Sequence, residues 1–228
     1  MKIGVLLPAY NEEKNIQAVI REAKKYLPKA KIVVIDDGST DKTYELAKKE
    51  KVTVIKHEVN KGKGEAIKTG FKYFSKIPVD FIVIADTDRQ YLLEDAPKLL
   101  EPLKNGEADF VMGYRDFKNV PFRHKLGNFV WRTFFNFLFG MNLKDTNCGY
   151  VALTKDVMKK VKVRGGYIIE NAFLSECLKN NFRITQVPVK VVYREKSGIL
   201  RGIRMVLGVL IFIIKEGIKY RFRAKNDK

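Results

Sequence analysis

Along the first half of the chain, short apolar runs alternate with segments whose apolar residues recur at helical spacing, and this alternation constrains the fold most. Residues 2–7, Lys31–Ile35, Val52–Lys56 and Phe81–Ala85 read as strands. Between them, 12–26, 41–50 and 63–74 read as helices. In the first helix Ile16, Val19, Ile20, Ala23 and Leu27 share one face, and Pro28 marks its end. The strands are apolar throughout, the pattern of strands covered on both faces. The alternation predicts an α/β fold with a mostly parallel sheet flanked by helices, extended by a helix over 94–104 and a strand at Asp109–Tyr114. In such a sheet the loops that follow the strands emerge at one edge, where ligands bind.

Those loops are chemically loaded. The run Phe81-Ile-Val-Ile-Ala85 passes straight into Asp86-Thr-Asp-Arg-Gln90, which places three oxygen-bearing side chains at a strand end. Hard cations such as Mg²⁺ and Mn²⁺ take oxygen ligands and leave room for substrate phosphates. Taken alone, an Asp-x-Asp is equally a solvated loop cap. The first strand ends in Pro8-Ala-Tyr-Asn-Glu12. Here Pro8 stiffens the turn, Tyr10 offers an aromatic face to a base, and Asn11 or Glu12 can equally serve as a helix cap. The second strand ends in Asp36-Asp37, carboxylates of the kind that accept hydrogen bonds from a ribose or base. Asn60-Lys-Gly-Lys-Gly64 can line a phosphate path but lacks the Walker spacing. Convergence of these loops on one cleft is a stronger signal than any single motif.

A chain of 228 residues, 46% of them hydrophobic, can bury one full core. Its 44 basic against 26 acidic residues give a net charge of +18, which implies an anionic partner: nucleic acid, an acidic membrane surface or phosphorylated substrates. Nucleic acid alone gives no reason for an Asp-x-Asp at a strand end, so no nucleic-acid partner is expected. Cys148 and Cys177 have no metal-ligand spacing, and His57 and His124 are too far apart for a triad. Lys2 leads directly into a strand, so no signal peptide is expected.

After Arg115 the character changes. Within 122–143, Phe129, Val130, Trp131, Phe134, Phe135, Phe137, Leu138 and Phe139 leave only a narrow polar stripe of Asn128, Arg132 and Asn136. This is a core helix, or one that lies against lipid or an acyl chain. A strand over 148–154, a helix over 167–180 and a strand over 183–193 follow. Met205–Ile214 is an unbroken apolar run of ten residues, well short of the roughly 20 that span a bilayer. Arg201 and Arg204 precede it, and Lys215, Lys219, Arg221, Arg223, Lys225 and Lys228 follow it. That pattern fits an amphipathic helix in the interface of an anionic membrane; a core helix or a homo-oligomer contact is the other use. The expected division is a catalytic domain over 1–197, with the aromatic segment at 117–143, and a membrane-associating tail over 198–228.

Pro8-Ala-Tyr-Asn-Glu12, Val34-Ile-Asp-Asp37, Gly62-Lys-Gly64 and Asp86-Thr-Asp-Arg-Gln90 together resemble the family-2 glycosyltransferases of GT-A (Rossmann-like) fold. Gly113-Tyr-Arg115, Asp145-Thr-Asn-Cys-Gly-Tyr150 and Gln186–Arg194 extend the likeness to the dolichyl-phosphate (polyprenyl-phosphate) mannose and glucose synthases, over roughly residues 3–200. The resemblance implies that Pro8, Tyr10, Glu12, Ile35, Asp37, Asp86, Thr87 and Arg194 bind the nucleotide-sugar. It implies that Asp86, Asp88 and Gln90 hold Mg²⁺ or Mn²⁺, and that Arg115, Arg123 and Lys196 meet the acceptor phosphate. Asp88, Arg115 and Asp145 are the implied catalytic residues, Asp145 as a base or as a carboxylate that only orients an arginine or the sugar. After Arg194 the chain reads Glu195-Lys-Ser-Gly198 where the family often has Gly-Glu-Ser-Lys, so Lys196 and Arg201 compete for the lysine's part.

The implied activity is inverting transfer of a sugar from UDP-glucose, UDP-N-acetylglucosamine or GDP-mannose to dolichyl or polyprenyl phosphate, for protein glycosylation or a cell-surface glycan. It is placed peripherally on the cytoplasmic face of the membrane. Asp-Thr-Asn-Cys-Gly tilts the donor towards UDP. A glycosyltransferase with a non-polyprenyl acceptor is the first alternative. A sugar-nucleotidyltransferase is the second, although it normally carries an early Gly-rich activation loop with Arg and Lys.

Overall fold

β1 (Ile3–Ala9), β2 (Lys31–Asp36), β3 (Thr53–Lys56), β4 (Phe81–Ile84), β5 (Phe110–Arg115), β6 (Val151–Thr154) and β7 (Ile184–Val189) form one sheet in the spatial order β3-β2-β1-β4-β6-β5-β7. The structure, a computed structural model, describes residues 1–116, 122–192 and 199–226, with backbone only at 122–126, 167, 199–205 and 224–226. β1 pairs in parallel with β2 and β4, β2 with β3, and β5 with β7. β6 runs antiparallel to β4 and β5. The sheet is therefore mostly parallel, as the alternation predicts. The inverted β6 brings its leading segment, Asp145–Tyr150, to the edge where the other strands end.

α1 (Ile16–Tyr26), α2 (Thr43–Lys49), α3 (Lys63–Ser75), α4 (Ala96–Lys104), α5 (Phe122–Phe139), α6 (Lys155–Lys160), α7 (Ile169–Lys179) and α8 (Ile199–Asn226) complete the fold. α1 buries Ile16, Val19, Ile20 and Ala23. Each of the three larger side chains contributes roughly 1.5–3 kcal/mol on leaving water, and that face fixes the helix on the sheet. α1 begins four residues later than its periodicity suggests, because Glu12 to Asn15 form the turn that enters it. The short α6 has no counterpart in the apolar pattern; Thr154 caps it by accepting from Val157 N at 3.3 Å.

α5 and α8 lie side by side and run in the same direction. Trp131 Nε1 donates to Val206 O at 3.0 Å, and further along both helices Leu138 packs on Gly217 and Phe139 meets Tyr220 at 5.1 Å. Phe135, Phe139, Val209 and Ile213 are buried in this pairing. Phe129, Phe134 and Phe137 of α5 and Leu207, Ile211, Ile218 and Phe222 of α8 stay exposed. Among the described residues, no helix is long and apolar enough to cross a membrane.

Candidate active site

At the switch point, where β1 connects outward to β2 on one side and has β4 on the other, the strand ends open into a cleft of about 310 Å³. Pro8, Tyr10, Glu12, Asp37, Asn60, Lys63, Asp86, Thr87 and Asp88 line it, so all four loops singled out in the sequence meet there. The first two loops are stitched together. Asn11 N donates to Ser39 Oγ at 2.9 Å, Glu12 N to Thr43 Oγ1 at 2.7 Å, and Thr40 N to Asn11 Oδ1 at 2.9 Å. Ser39 and Thr43 thus hold the turn that presents Tyr10, a residue 45% exposed at the cleft.

Asp37 lines the cleft but is already engaged. It accepts from Lys61 N at 3.0 Å, Gly62 N at 2.7 Å and His57 Nδ1 at 2.7 Å. His57 Nε2 lies 2.8 Å from Thr69 Oγ1. The carboxylate and the imidazole therefore set the loop that starts α3 and aim Lys63 into the cleft.

The β4 loop folds around Thr87, whose buried hydroxyl donates to Pro8 O at 2.9 Å. Gln90 N donates to Asp88 Oδ1 at 3.0 Å, across Arg89, which sits in the left-handed region at φ 59°. That conformation costs a non-glycine residue about 1 kcal/mol, and the Arg89 contact with Glu22 at 3.0 Å helps hold it. Lys63 Nζ lies 2.6 Å from Asp86 Oδ1 and 3.1 Å from Glu170 Oε1. Burial pulls the lysine's pKa down, but the two carboxylates win and raise it well above the usual lysine value. Burial likewise pushes Glu170 up, against the pull of Lys63. Gly149 closes this corner, since a Cβ there would stand 2.5 Å from Asp86 Oδ2 and 2.9 Å from Lys63 Nζ.

Among the described residues, no three His, Cys, Asp or Glu side chains gather that can hold a metal by themselves. The donor set instead fits a hard cation shared with a diphosphate: Asp86 and Asp88 both face the cleft, and Mg²⁺-type sites commonly use one or two carboxylates plus phosphate oxygens. Gln90, expected as a third ligand, is not among the lining residues; its backbone closes the turn and its carbonyl accepts from Val192 N at 2.9 Å.

At the end of β5, Arg115 meets Asp145 in a bidentate pair, Nε to Oδ2 at 2.6 Å and Nη2 to Oδ1 at 3.0 Å. Asp145 is fully buried and also accepts from Asn147 N at 2.9 Å. Burial works against the guanidinium's charge, but Asp145 outweighs it and raises Arg115 further. Both Asp145 oxygens accept from these donors, the arrangement of a carboxylate that orients an arginine. Beside the pair, burial holds the Tyr91 hydroxyl well above its usual pKa and pushes the Cys148 thiol up to about 12. Neither is a nucleophile near neutral pH.

Ile35, expected at the nucleotide, is a core residue with no exposed surface and lies outside the lining. Arg194 and Lys196 fall outside the described residues, as does the side chain of Arg123. The Lys63–Glu170 contact, Gly149 and Tyr91 were not singled out in the sequence. An acidic residue in the first turn of α7 was the available hint for Glu170, but its partner is 107 positions away.

A family model described as glycosyl transferase family 2 matches residues 4–162. UDP-N-acetylglucosamine–dolichyl-phosphate N-acetylglucosaminyltransferase of Methanococcus voltae is 33% identical, over 92% of this chain and 93% of that one. Dolichol-phosphate mannosyltransferase of Pyrococcus furiosus is 35% identical, over 72% of this chain and 49% of that one. Glucosyl-3-phosphoglycerate synthase from Mycobacterium tuberculosis, in a crystal structure with Mn²⁺, UDP and phosphoglyceric acid, superposes with a TM-score of 0.78 at 22% identity. It covers 95% of this chain and 78% of that one, and at that identity the likeness is one of fold. A mixed, mostly parallel sheet flanked by helices with a carboxylate-bearing cleft at its switch point is the GT-A architecture of glycosyltransferases. The chain belongs to glycosyl transferase family 2.

Proposed function

We propose that this glycosyltransferase moves a sugar from a nucleotide-sugar to a polyprenyl phosphate, with inversion, at a membrane surface. The observation that carries the reading is the cleft itself: Lys63, Asp86 and Asp88 face it together, in a chain similar over nine-tenths of its length to a dolichyl-phosphate transferase. Tyr10 would stack on the base and Asp86 and Asp88 would hold Mg²⁺ or Mn²⁺ with the donor diphosphate. A cation so bound neutralises charge on the leaving nucleoside diphosphate. Lys63 adds a second positive charge on the same side. Arg115, pinned by Asp145, would offer its remaining donors to a phosphate in fixed orientation. A phosphate nucleophile has a second pKa of ~6 and is already largely ionised near neutrality, so no base is required. The donor we favour is UDP-linked glucose or N-acetylglucosamine, with GDP-mannose next.

The exposed apolar residues of α5 and α8 support the lipid half of the reading. Leu207, Ile211, Ile218 and Phe222 recur at helical spacing on the outside of α8, among exposed Lys215, Lys219, Arg221 and Arg223. Apolar residues rimmed by cations suit an anionic interface, which here would be the cytoplasmic leaflet.

The test is sugar transfer from labelled UDP-N-acetylglucosamine, UDP-glucose and GDP-mannose, with Mn²⁺, to dolichyl phosphate in anionic vesicles. Label in the lipid extract is expected with one donor. Transfer only to a soluble phosphorylated acceptor, such as phosphoglycerate, would overturn the lipid acceptor. The double variant Leu207→Ser/Ile211→Ser should float with vesicles at least tenfold less well, at ~1.5–3 kcal/mol for each side chain withdrawn from lipid. Unchanged flotation would sink the membrane assignment.

A further inference from the structure

Glu216 lies in the second half of α8, a helix rich in apolar and basic residues, yet its side chain is only 7% exposed. A buried carboxylate needs partners, and it has them on the catalytic side. Arg164 Nη1 donates to Glu216 Oε1 at 3.2 Å, Lys179 Nζ donates to Oε2, and Lys219 stands 3.7 Å away. Lys179 also reaches Glu176 at 3.1 Å, and the Arg164 guanidinium lies 5.8 Å from the Phe212 ring. Burial would raise the Glu216 pKa, but Lys179 and Arg164 overcome it and hold the group ionised.

What Glu216 grips leads directly to the cleft. The residue after Arg164 is Gly165, and a Cβ on Gly64 would come within 2.5 Å of its Cα, so the backbones of α3 and this segment touch. Five residues beyond Gly165, Glu170 holds Lys63. The span 164–170 is thus clamped at one end by α8 and at the other by the lysine that faces Asp86. We propose that Glu216 is a positioning residue for Lys63, acting through Arg164, Gly165 and Glu170, so that the seating of α8 and the readiness of the donor cleft are linked. The nucleotide half of this linkage rests on the proposed function; the mechanical half does not.

Linkage of this kind is reciprocal. In the full chain, Glu216→Gln leaves Arg164 and Lys179 with Glu176 as their remaining carboxylate and loosens the hold of α8 on Arg164, so amide hydrogen exchange at residues 61–66 and 164–170 should quicken. The exposed α8 variant Lys215→Gln should leave both segments as in wild type. Affinity for UDP or GDP with Mn²⁺ should fall about fivefold in Glu216→Gln, within the usual range of coupling between sites. In a Lys63→Met background the same substitution should change affinity no further, a non-additivity that a merely structural role would not produce. Should Glu216→Gln fail to fold, Arg164→Gln, at the more exposed end of the clamp, carries the same measurements. Exchange at 61–66 that is unchanged, or that rises equally across β1 and β2, would overturn the proposal, as would additive losses in the double variant. If wild type binds neither UDP nor GDP, the proposed function fails instead, and the exchange result still decides the linkage.

Discussion

Lys63 Nζ sits 2.6 Å from Asp86 Oδ1, so the first carboxylate of the β4 loop is already neutralised by a cation of the chain's own. A divalent ion binding at Asp86 and Asp88 must therefore compete with an ammonium. Removing that ammonium with Lys63→Met should strengthen binding of Mn²⁺ alone and weaken binding of UDP or GDP in its presence. A charged hydrogen bond is worth about 1.5–3 kcal/mol, which puts the nucleotide loss at roughly tenfold or more. Mn²⁺ binding followed by electron paramagnetic resonance and nucleotide binding by calorimetry should move in opposite directions.

Asp88 lines the cleft beside Asp86 and precedes the left-handed turn at Arg89. Asp88→Asn should lower sugar transfer by ~100-fold or more, the scale for losing one preorganised electrostatic group. In wild type, EDTA should abolish transfer and Mn²⁺ or Mg²⁺ should restore it. Full activity of Asp88→Asn would remove this loop from the chemistry.

The β4 loop was legible because chemistry and pattern coincide there: an apolar strand stops at two carboxylates, and the other strand ends that share its edge separate a ligand site from a solvated cap. Pro8, Tyr10, Glu12 and Asp37 were legible in the same way, as strand ends of a parallel sheet that must share an edge. The side chain of Ile35 lies in the core, because successive residues of a strand next to a site alternate between the two faces of the sheet. Glu170, Gly149 and Glu216 were not legible, since each acts through a contact with a residue far off in the chain. Distance along the chain hides such pairs, whereas periodicity reports only which face of an element is buried.

Gly149→Ala separates site geometry from stability. The atoms nearest to the added Cβ are Asp86 Oδ2 and Lys63 Nζ, both ends of side chains that can swing aside. The cost to the fold should therefore stay near the low end of overpacking, about 1 kcal/mol. Transfer should fall at least tenfold, because the displaced groups are the ones that face the donor. A fall in melting temperature with normal activity would show that the corner is only structural.

Asp145→Asn tests orientation against proton transfer. The substitution removes the Asp145 charge from the Arg115 side chain, which is 14% exposed. Breaking a buried pair in this way destabilises by about 3–5 kcal/mol. If Asp145 only fixes Arg115, the remaining activity should keep the wild-type pH–rate profile and show a raised KM for the acceptor. Loss of the acidic limb of that profile would instead make Asp145 the base.

Acid should loosen the fold at identifiable places. Glu50 is held below its ordinary value of 4.5, first by the hydrogen bond from Arg21 and against its own burial. Glu216 is held below the same value by Lys179 and Arg164, which outweigh burial. A depressed folded pKa means that the unfolded chain binds more protons as the pH falls past 4.5. The stabilisation is thus fully present above that pH and is lost as the pH drops through the folded values. Asp109, lowered by its hydrogen bond from Arg183, adds to the same limb from 3.8 downward. Glu170 works the other way: burial raises it, so its share is present below 4.5 and lost as the pH rises through its folded value. Four lowered carboxylates, Asp41 being the fourth through hydrogen bonds from Thr43 that outweigh its burial, against one raised predict a melting temperature that is level near neutrality and falls steeply below pH 4.5. In Glu216→Gln the acid limb should be shallower, because one of the groups that must be protonated is gone. Circular-dichroism melts of both proteins from pH 7 down to pH 3 make the comparison, and identical limbs would mean that Glu216 is not ionised in the folded chain.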